Sequence, residues 1–271
     1  MCPDEEAPIQ EHLIELLERI RRILIALIVS SIIIPFSPDP SYISRGGIIY
    51  RPLVLSLIDR IRSDMTNLNN PVTRPLASLL GIDELRIELI AYSWIDSLEV
   101  MFILGLLLGF IFSSPYIAKQ IYDFIEPALE SHEKRMLIPF IIGFTLLFAS
   151  GVVYAYFVVM PLTILFLSYI YILSGIRLIF SLSEFFSFVI SGLLIVGLFF
   201  TFPLLVAAIS YLGIISPSSI RGNWRYAFLL TLVITAVITP DPTPVSMLAL
   251  SLPFLILYWL SYILSKRFHG E

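Results

Sequence analysis

Long runs of apolar residues, separated by short charged segments, dominate the pattern of this chain. A helix needs about 20 apolar residues to cross a bilayer, and somewhat fewer where the bilayer thins. By this measure the chain holds six candidate spans, at about residues 20–36, 98–117, 137–160, 185–212, 226–238 and 245–264. The pattern therefore predicts an all-α polytopic membrane protein, with residues 1–271 forming a single integral membrane domain.

Prolines decide the predicted boundaries of the third, fifth and sixth spans. Residues 137–176 carry no charge, but Pro161 interrupts them. Because proline breaks the hydrogen-bond ladder of a helix, we expect the third span to end near Pro161 and residues 162–175 to lie at the outward interface. A seventh span is the alternative, and it would place the C-terminus outside. The last two runs are short, and the proline-rich turn at residues 239–244 joins them.

A long segment at residues 37–97 separates the first two spans. Residues 53–61 show a helical spacing of apolar positions, whereas residues 85–91 alternate as in a short strand. Prolines at positions 38, 40, 52, 71 and 75 divide the segment. We expect this outward loop to form an ordered cap over the bundle.

Basic residues set the predicted orientation. Arg19, Arg21 and Arg22 precede the first span, and Lys266 and Arg267 follow the last one. Cytoplasmic loops are enriched in lysine and arginine, so both termini are expected in the cytoplasm. The loop at residues 37–97 contains six arginines and opposes this assignment. It is long, however, and long loops cross the membrane largely regardless of charge.

Composition restricts the classes of protein to which the chain can belong. Hydrophobic residues make up 58% and charged residues 14% of the sequence, and a soluble domain of this size cannot bury so much apolar surface. The formal net charge of −4 and the lack of a basic cluster argue against a nucleic-acid partner. Cys2 is the single cysteine, so no intramolecular disulfide can form. The N-terminal segment lacks the features of a cleavable signal peptide, and we expect the first span to be retained.

No catalytic or metal-binding signature appears in the sequence. There is no glycine-rich phosphate loop, GxSxG, CxxC or HExxH, and the three histidines lie far apart. We therefore expect no enzyme, no metal and no cofactor. An intramembrane enzyme would need paired catalytic side chains within the spans. A secondary transporter of a small solute, the main alternative function, would need charged groups near the membrane midplane, but Glu99 and Glu184 lie at predicted span ends.

Two charged islands, at residues 12–19 and 124–135, each precede a predicted span. One helical hairpin separates them, so both are expected on the same membrane surface. Glu15 and Glu133 stand out because carboxylates accept paired hydrogen bonds from guanidinium groups. Together they would suit a peptide that carries two arginines. The alternatives are a solvated helix face, with Glu15 pairing to Arg19 at i,i+4, and a loop whose charges cap helices and balance one another.

The two islands and the segments after them resemble the TatC family, the multispanning receptor subunit of the twin-arginine protein translocase. The resemblance covers about residues 9–265 and is most specific in the loop at 124–135. The similar segments lie at residues 12–16 (His-Leu-Ile-Glu-Leu), 124–129 (Phe-Ile-Glu-Pro-Ala-Leu), 132–135 (His-Glu-Lys-Arg), 154–158, 187–189, 213–217 and 239–244.

The resemblance implies six spans in a concave, glove-like bundle with both termini cytoplasmic. It implies a protein of the cytoplasmic membrane that binds the twin-arginine signal peptides of folded precursor proteins. The partners would be small single-span Tat subunits of the TatA and TatB type, in an oligomeric complex within membrane lipid. The proton-motive force would drive export, with no nucleotide. Matching signal-recognition positions are Glu15, Glu133, Phe124, Pro127 and Arg19.

Two positions depart from the family pattern. The family commonly carries a glutamate within the fourth span, where this chain has Thr201 between Phe200 and Phe202. The Thr201 hydroxyl either bonds back to carbonyls of its own helix or replaces the polar contact of the missing acid. The outward turn reads Thr-Pro-Asp-Pro, so a role for Asp241 transfers only weakly.

Overall fold

The computed structural model describes residues 9–39, 50–68, 70–82, 85, 87–125, 137–211, 215–238 and 244–268. Within these ranges the protein is mostly helical, with one small sheet. In chain order the elements are α1 (Ile9–Ile33), α2 (Leu53–Thr66), α3 (Thr73–Leu79), β1 (Ile87–Ile90), α4 (Asp96–Ile125), α5 (Leu137–Tyr154), a π-helical turn (Ala155–Val159), α6 (Met160–Leu173), β2 (Leu178–Ser181), α7 (Leu182–Tyr211), α8 (Pro217–Gly222), α9 (Trp224–Ile238) and α10 (Pro244–Phe268).

A helix occupies each of the six predicted segments. Among the described residues, three helices are long and apolar enough to cross a membrane: Asp96–Phe124, Leu137–Leu173 and Leu182–Ser210. Two further apolar helices, Trp224–Ala236 and Met247–Ile263, are shorter. The length and apolar composition of these helices are those of a multi-pass membrane protein. The count of six spans and their boundaries stay predictions.

The helix does not end at Pro161, where the third span was predicted to end. The chain runs without a break from α5 through the π-helical turn into α6, which ends at Leu173. Pro161 has no N–H to donate to the carbonyl of Phe157 four positions earlier. The side chain of Asn70 donates to that carbonyl instead, with Nδ2 and O separated by 3.1 Å. The wider π turn and this bond from the outward loop let the helix pass the proline.

The core lies where α4, α5, α7 and the π-helical turn meet. Its fully buried side chains include Leu104, Phe148, Val159, Phe186 and Leu193. Glycines bring α5 and α7 close, because a Cβ on Gly197 would lie 2.8 Å from the Phe148 ring. Among the described residues, helix α1 packs mainly along α4, and one of its faces stays exposed.

The predicted elements of the loop at residues 37–97 are confirmed where the structure describes them. The helical spacing at residues 53–61 corresponds to α2, and the alternation at 85–91 corresponds to β1. Strand β1 pairs in parallel with β2, with Ile87 opposite Leu178 and Ile90 opposite Ser181. The sheet therefore ties the segment before α4 to the segment before α7. The hydroxyl of Tyr156 in the π-helical turn donates to Asp64 of α2 at 2.6 Å, which fixes the loop to the helices.

Candidate functional site

Helices α1 and α4 run antiparallel and bring the first charged island to the end of α4. Two glycines on α4 allow the close approach. A Cβ on Gly109 would lie 2.8 Å from the backbone N of Ser31, and one on Gly105 would lie 2.7 Å from its carbonyl O. Ser30 Oγ donates to the Gly109 carbonyl at 3.1 Å. Small residues of this kind let helices in a membrane pack backbone to backbone.

The antiparallel packing places Arg19 of α1 between two carboxylates. Its Nη2 and Nε lie 2.5 and 3.1 Å from Glu15 Oε1, and its Nη1 lies 3.8 Å from Asp123 Oδ2 of α4. The side chains of Arg19, Glu15 and Asp123 are 17%, 36% and 23% exposed. With two carboxylates and one guanidinium, this cluster has a net charge of −1. Its side chains are partly shielded from water, and charges in such a setting interact more strongly than in bulk water. We call these three residues the carboxylate cluster.

A second acid–base pair on this part of α1 behaves differently. Glu18 and Arg22 also form an i,i+4 pair at 2.6 Å, but both side chains are more than half exposed. Exposed pairs of this kind contribute little to stability and are screened by salt. The solvated-face interpretation therefore describes Glu18. Glu15 makes the i,i+4 pair with Arg19 that the spacing predicted, and Arg19 is the residue that reaches across to Asp123 of α4.

Phe124, which directly follows Asp123, is 39% exposed at the end of α4. Glu133 and Pro127 lie outside the described residues, as does Asp241. Of the residues predicted from sequence, the structure thus brings together Glu15 and Arg19 and places the Phe124 end of α4 beside them.

Two polar residues of α4 were missed by the sequence reasoning. Asp123 stands one position before the second island, and its proximity to Arg19 depends on the antiparallel packing of α1, which no local spacing reveals. Gln120, one turn earlier, is 5% exposed, and its Oε1 has no hydrogen-bond partner within the described part of the chain. The sequence alone does not indicate Gln120, because the burial of its amide oxygen becomes visible only once the helix faces are known.

Thr201 lies apart from the carboxylate cluster, in the middle of α7. It is 4% exposed, and its Oγ1 donates to the Leu198 carbonyl at 2.7 Å. This is the local back-bonding geometry, which satisfies a hydroxyl inside a helix without another element. Among the residues that the structure describes, no group of three or more His, Cys, Asp or Glu side chains is placed to hold a metal ion.

Comparison with known proteins identifies the family. The family model described as Sec-independent protein translocase protein (TatC) matches residues 11–253. The chain belongs to the TatC family. A TatC protein of Aquifex aeolicus is 36% identical over 183 residues, which are 66% of this chain and 75% of that protein. TatC of Escherichia coli K12 is 26% identical over 271 residues, covering 100% of this chain and 93% of that protein.

A solved TatC structure gives the same result for the fold. The crystal structure described as the twin arginine translocase receptor TatC in DDM superposes with a TM-score of 0.68 at 28% identity, covering 94% of this chain and 99% of that chain. The resemblance inferred from sequence is therefore confirmed. As a TatC protein the chain is a multi-pass membrane component of a protein translocase, in a family that transports without enzymatic chemistry.

Proposed function

We propose that this chain is the twin-arginine signal-peptide receptor and core subunit of a Tat translocase, which exports folded proteins across the cytoplasmic membrane. The observation that carries the proposal is the charge balance of the carboxylate cluster. Glu15 and Asp123 share the single guanidinium of Arg19, so one negative charge is left for a second guanidinium. A signal peptide with two adjacent arginines supplies guanidinium groups, which bind carboxylates through short charge-assisted hydrogen bonds.

The packing of α4 and α5 supports a second contact at Glu133. The ring centroids of Tyr122 near the end of α4 and Phe140 near the start of α5 lie 5.8 Å apart. The two helix ends that the loop joins are therefore close together. Glu133 precedes the first residue of α5 by four positions. Glu133 belongs to the loop that joins these two helix ends, and we propose that it supplies the second carboxylate contact for the peptide.

The rest of the proposal follows from membership of the family. Six spans form a concave, glove-like bundle with both termini in the cytoplasm, so that the carboxylate cluster faces the precursor. The signal peptide's apolar stretch lies along the apolar face of the bundle. Small single-span Tat subunits join the complex, and the proton-motive force drives export. A solved relative is itself described as the twin arginine translocase receptor, which supports this assignment.

A secondary transporter is disfavoured by where buried charge lies. Among the described residues, the fully buried carboxylates are Asp39, in the loop after α1, and Asp96, the first residue of α4. Neither stands in the middle of a long apolar helix. Ion-coupled transporters place ionisable groups near the midplane, where they bind the substrate or the coupling ion.

Photocrosslinking tests both the receptor role and the location of its site. A photoreactive phenylalanine analogue replaces Phe124 in the purified protein, which is mixed with a labelled twin-arginine signal peptide and irradiated. The matched control carries the analogue at Tyr92, an exposed aromatic residue before the far end of α4. We expect a crosslink from position 124 that unlabelled twin-arginine peptide competes away and a twin-lysine peptide competes poorly. Equal crosslinks from both positions would contradict the proposal.

A further inference from the structure

Two arginines line a concavity on the protein surface that is distant in sequence from the carboxylate cluster. Its volume is about 890 Å³, and Arg221 at the end of α8 and Arg225 at the start of α9 both line it. Ser218 lies on the same wall, with the aromatic side chains of Trp224 and Tyr226. The concavity is therefore polar and positively charged, whereas the helices next to it are apolar.

The two guanidinium groups of this concavity are not neutralised within the described part of the chain. Every ion pair found there joins other residues, namely Arg19, Arg22, Arg51 and Arg60 with their carboxylates. Arg225 lies over the Trp224 ring, with Cζ 5.8 Å from the ring centroid. That contact orients the guanidinium but cancels no charge. Two neighbouring positive charges without a carboxylate favour an anionic ligand.

An exposed strip of mainly apolar residues on α9 follows Arg225 directly in sequence. Tyr226, Leu229, Leu230 and Val233 share one face of α9, because they follow one another at spacings of three, one and three residues. All four side chains are more than half exposed, and Tyr226 is 73% exposed. Leu229 also lines the concavity, so the strip and the arginines form one continuous surface. Tryptophan and tyrosine beside it are typical of the membrane–water interface.

We propose that this surface binds an anionic phospholipid, with its phosphate between Arg221 and Arg225 and an acyl chain along Leu229, Leu230 and Val233. Guanidinium groups match phosphate oxygens in paired hydrogen bonds, and basic clusters at the ends of membrane helices recognise lipid headgroups. Ser218, whose Oγ lies 3.0 Å from Ser216 Oγ, adds a polar group to the same wall. An acidic segment of a partner protein would use the arginines but leave the exposed apolar strip unexplained, which favours the lipid.

Native mass spectrometry of the full chain with defined lipids tests the site. Phosphatidylglycerol is compared with zwitterionic phosphatidylethanolamine of the same acyl chains, and with glycerol phosphate, which has the anion but no chains. Each arginine near a membrane surface contributes about 1 kcal/mol to binding anionic lipid. We therefore expect the double substitution Arg221→Gln and Arg225→Gln to weaken phosphatidylglycerol binding by on the order of tenfold or more, since 1.4 kcal/mol corresponds to tenfold, while phosphatidylethanolamine binding changes little.

The matched control removes two arginines elsewhere. Arg62 and Arg74 are exposed in α2 and α3, and neither has an ion pair in the described part of the chain. The double substitution Arg62→Gln and Arg74→Gln changes the net charge equally, and we expect phosphatidylglycerol binding to persist. Equal losses in the two double variants would overturn the proposal, because net charge alone would then explain them. Tight binding of glycerol phosphate, or no preference between the two lipids, would also overturn it.

Discussion

At the scale of single residues, the account depends on how Arg19 is shared between two helices. Spacing along α1 was enough to predict that Arg19 pairs with Glu15, and the structure shows that bond. Spacing gave no hint that Asp123 joins them from α4. The difference is physical: an i,i+4 pair is fixed by helix geometry, whereas a pair across two helices is fixed by packing at Gly105 and Gly109.

Asp123→Asn should weaken binding of a twin-arginine peptide. The substitution leaves Glu15 and Arg19 as a balanced pair, so the negative charge that attracts the second guanidinium is lost. A partly exposed ionic contact contributes roughly 0.5–1.5 kcal/mol, so we expect a rise in Kd of about two- to tenfold in fluorescence anisotropy titrations, smaller at high salt. Asp59→Asn, which removes an exposed carboxylate on α2, is the control. An unchanged Kd for Asp123→Asn would remove this residue from the site.

At the scale of elements, three of the prolines inside long helices, Pro115, Pro161 and Pro253, follow one pattern. A proline cannot bond the carbonyl four positions earlier, and in a membrane that carbonyl needs another donor. Tyr154 Oη donates to Ala249 O, four positions before Pro253, at 2.5 Å. Ser114 Oγ donates to Ile111 O, four before Pro115, at 2.7 Å. Asn70 Nδ2 donates to Phe157 O, four positions before Pro161, although the two residues are 87 positions apart in sequence.

This pattern explains why Pro161 was misread from sequence. A proline in an apolar run predicts a helix end unless a donor is available, and the donor here belongs to the outward loop. By contrast, α2 and β1 were predictable because the spacing of apolar positions in each is local. The sheet partner β2 was not predicted, since four residues after a helix carry too little pattern.

Asn70→Asp tests the link between the outward loop and the helix. The new carboxylate keeps an oxygen for the Val72 N–H, which Asn70 Oδ1 accepts at 3.0 Å, but it cannot donate to Phe157. We expect destabilisation of roughly 0.5–1.5 kcal/mol, the net contribution of a hydrogen bond that is not fully buried, measured as a lower Tm in detergent. In a Pro161→Ala background the restored N–H serves the Phe157 carbonyl, so the same change should cost much less. Equal costs in the two backgrounds would refute the role of Asn70.

Gly109→Ala should separate α1 from α4. A Cβ there would lie 2.1 Å from Ser31 Oγ and 2.8 Å from the Ser31 backbone N, so the backbone of α1 must move. We expect a lower Tm and weaker signal-peptide binding, because the Arg19–Asp123 contact is lost. Gly143→Ala is the control, since its Cβ would meet only the Leu204 side chain at 3.5 Å or more. If both variants behave alike, close packing at Gly109 does not hold the carboxylate cluster together.

At the scale of the whole molecule, hydropathy gave most of the fold, because the bilayer makes long apolar helices the dominant signal. Hydropathy did not give the packing order of the described helices, in which α1 packs mainly on α4 while α4, α5 and α7 form the core. Nor does hydropathy fix the membrane orientation, for which the basic residues give the prediction.

The single cysteine makes the orientation measurable. With both termini cytoplasmic, a membrane-impermeant maleimide added to sealed, right-side-out vesicles should leave Cys2 unlabelled until the vesicles are opened. In a Cys2→Ser background, a cysteine at the exposed position Ser63 of α2 should be labelled from outside at once. Labelling of Cys2 in sealed vesicles, with Ser63→Cys protected, would reverse the proposed topology.

The most direct test of the receptor claim is the affinity of the purified protein for a twin-arginine signal peptide beside its twin-lysine version, in wild type and in Glu133→Gln. Lysine keeps the charge but loses the paired hydrogen bonds of a guanidinium. The account predicts tighter binding of the arginine peptide and a loss of that preference in Glu133→Gln, each by on the order of tenfold for a contact of about 1.5 kcal/mol. Equal affinity for the two peptides in wild type, or an arginine preference that survives Glu133→Gln, would contradict it.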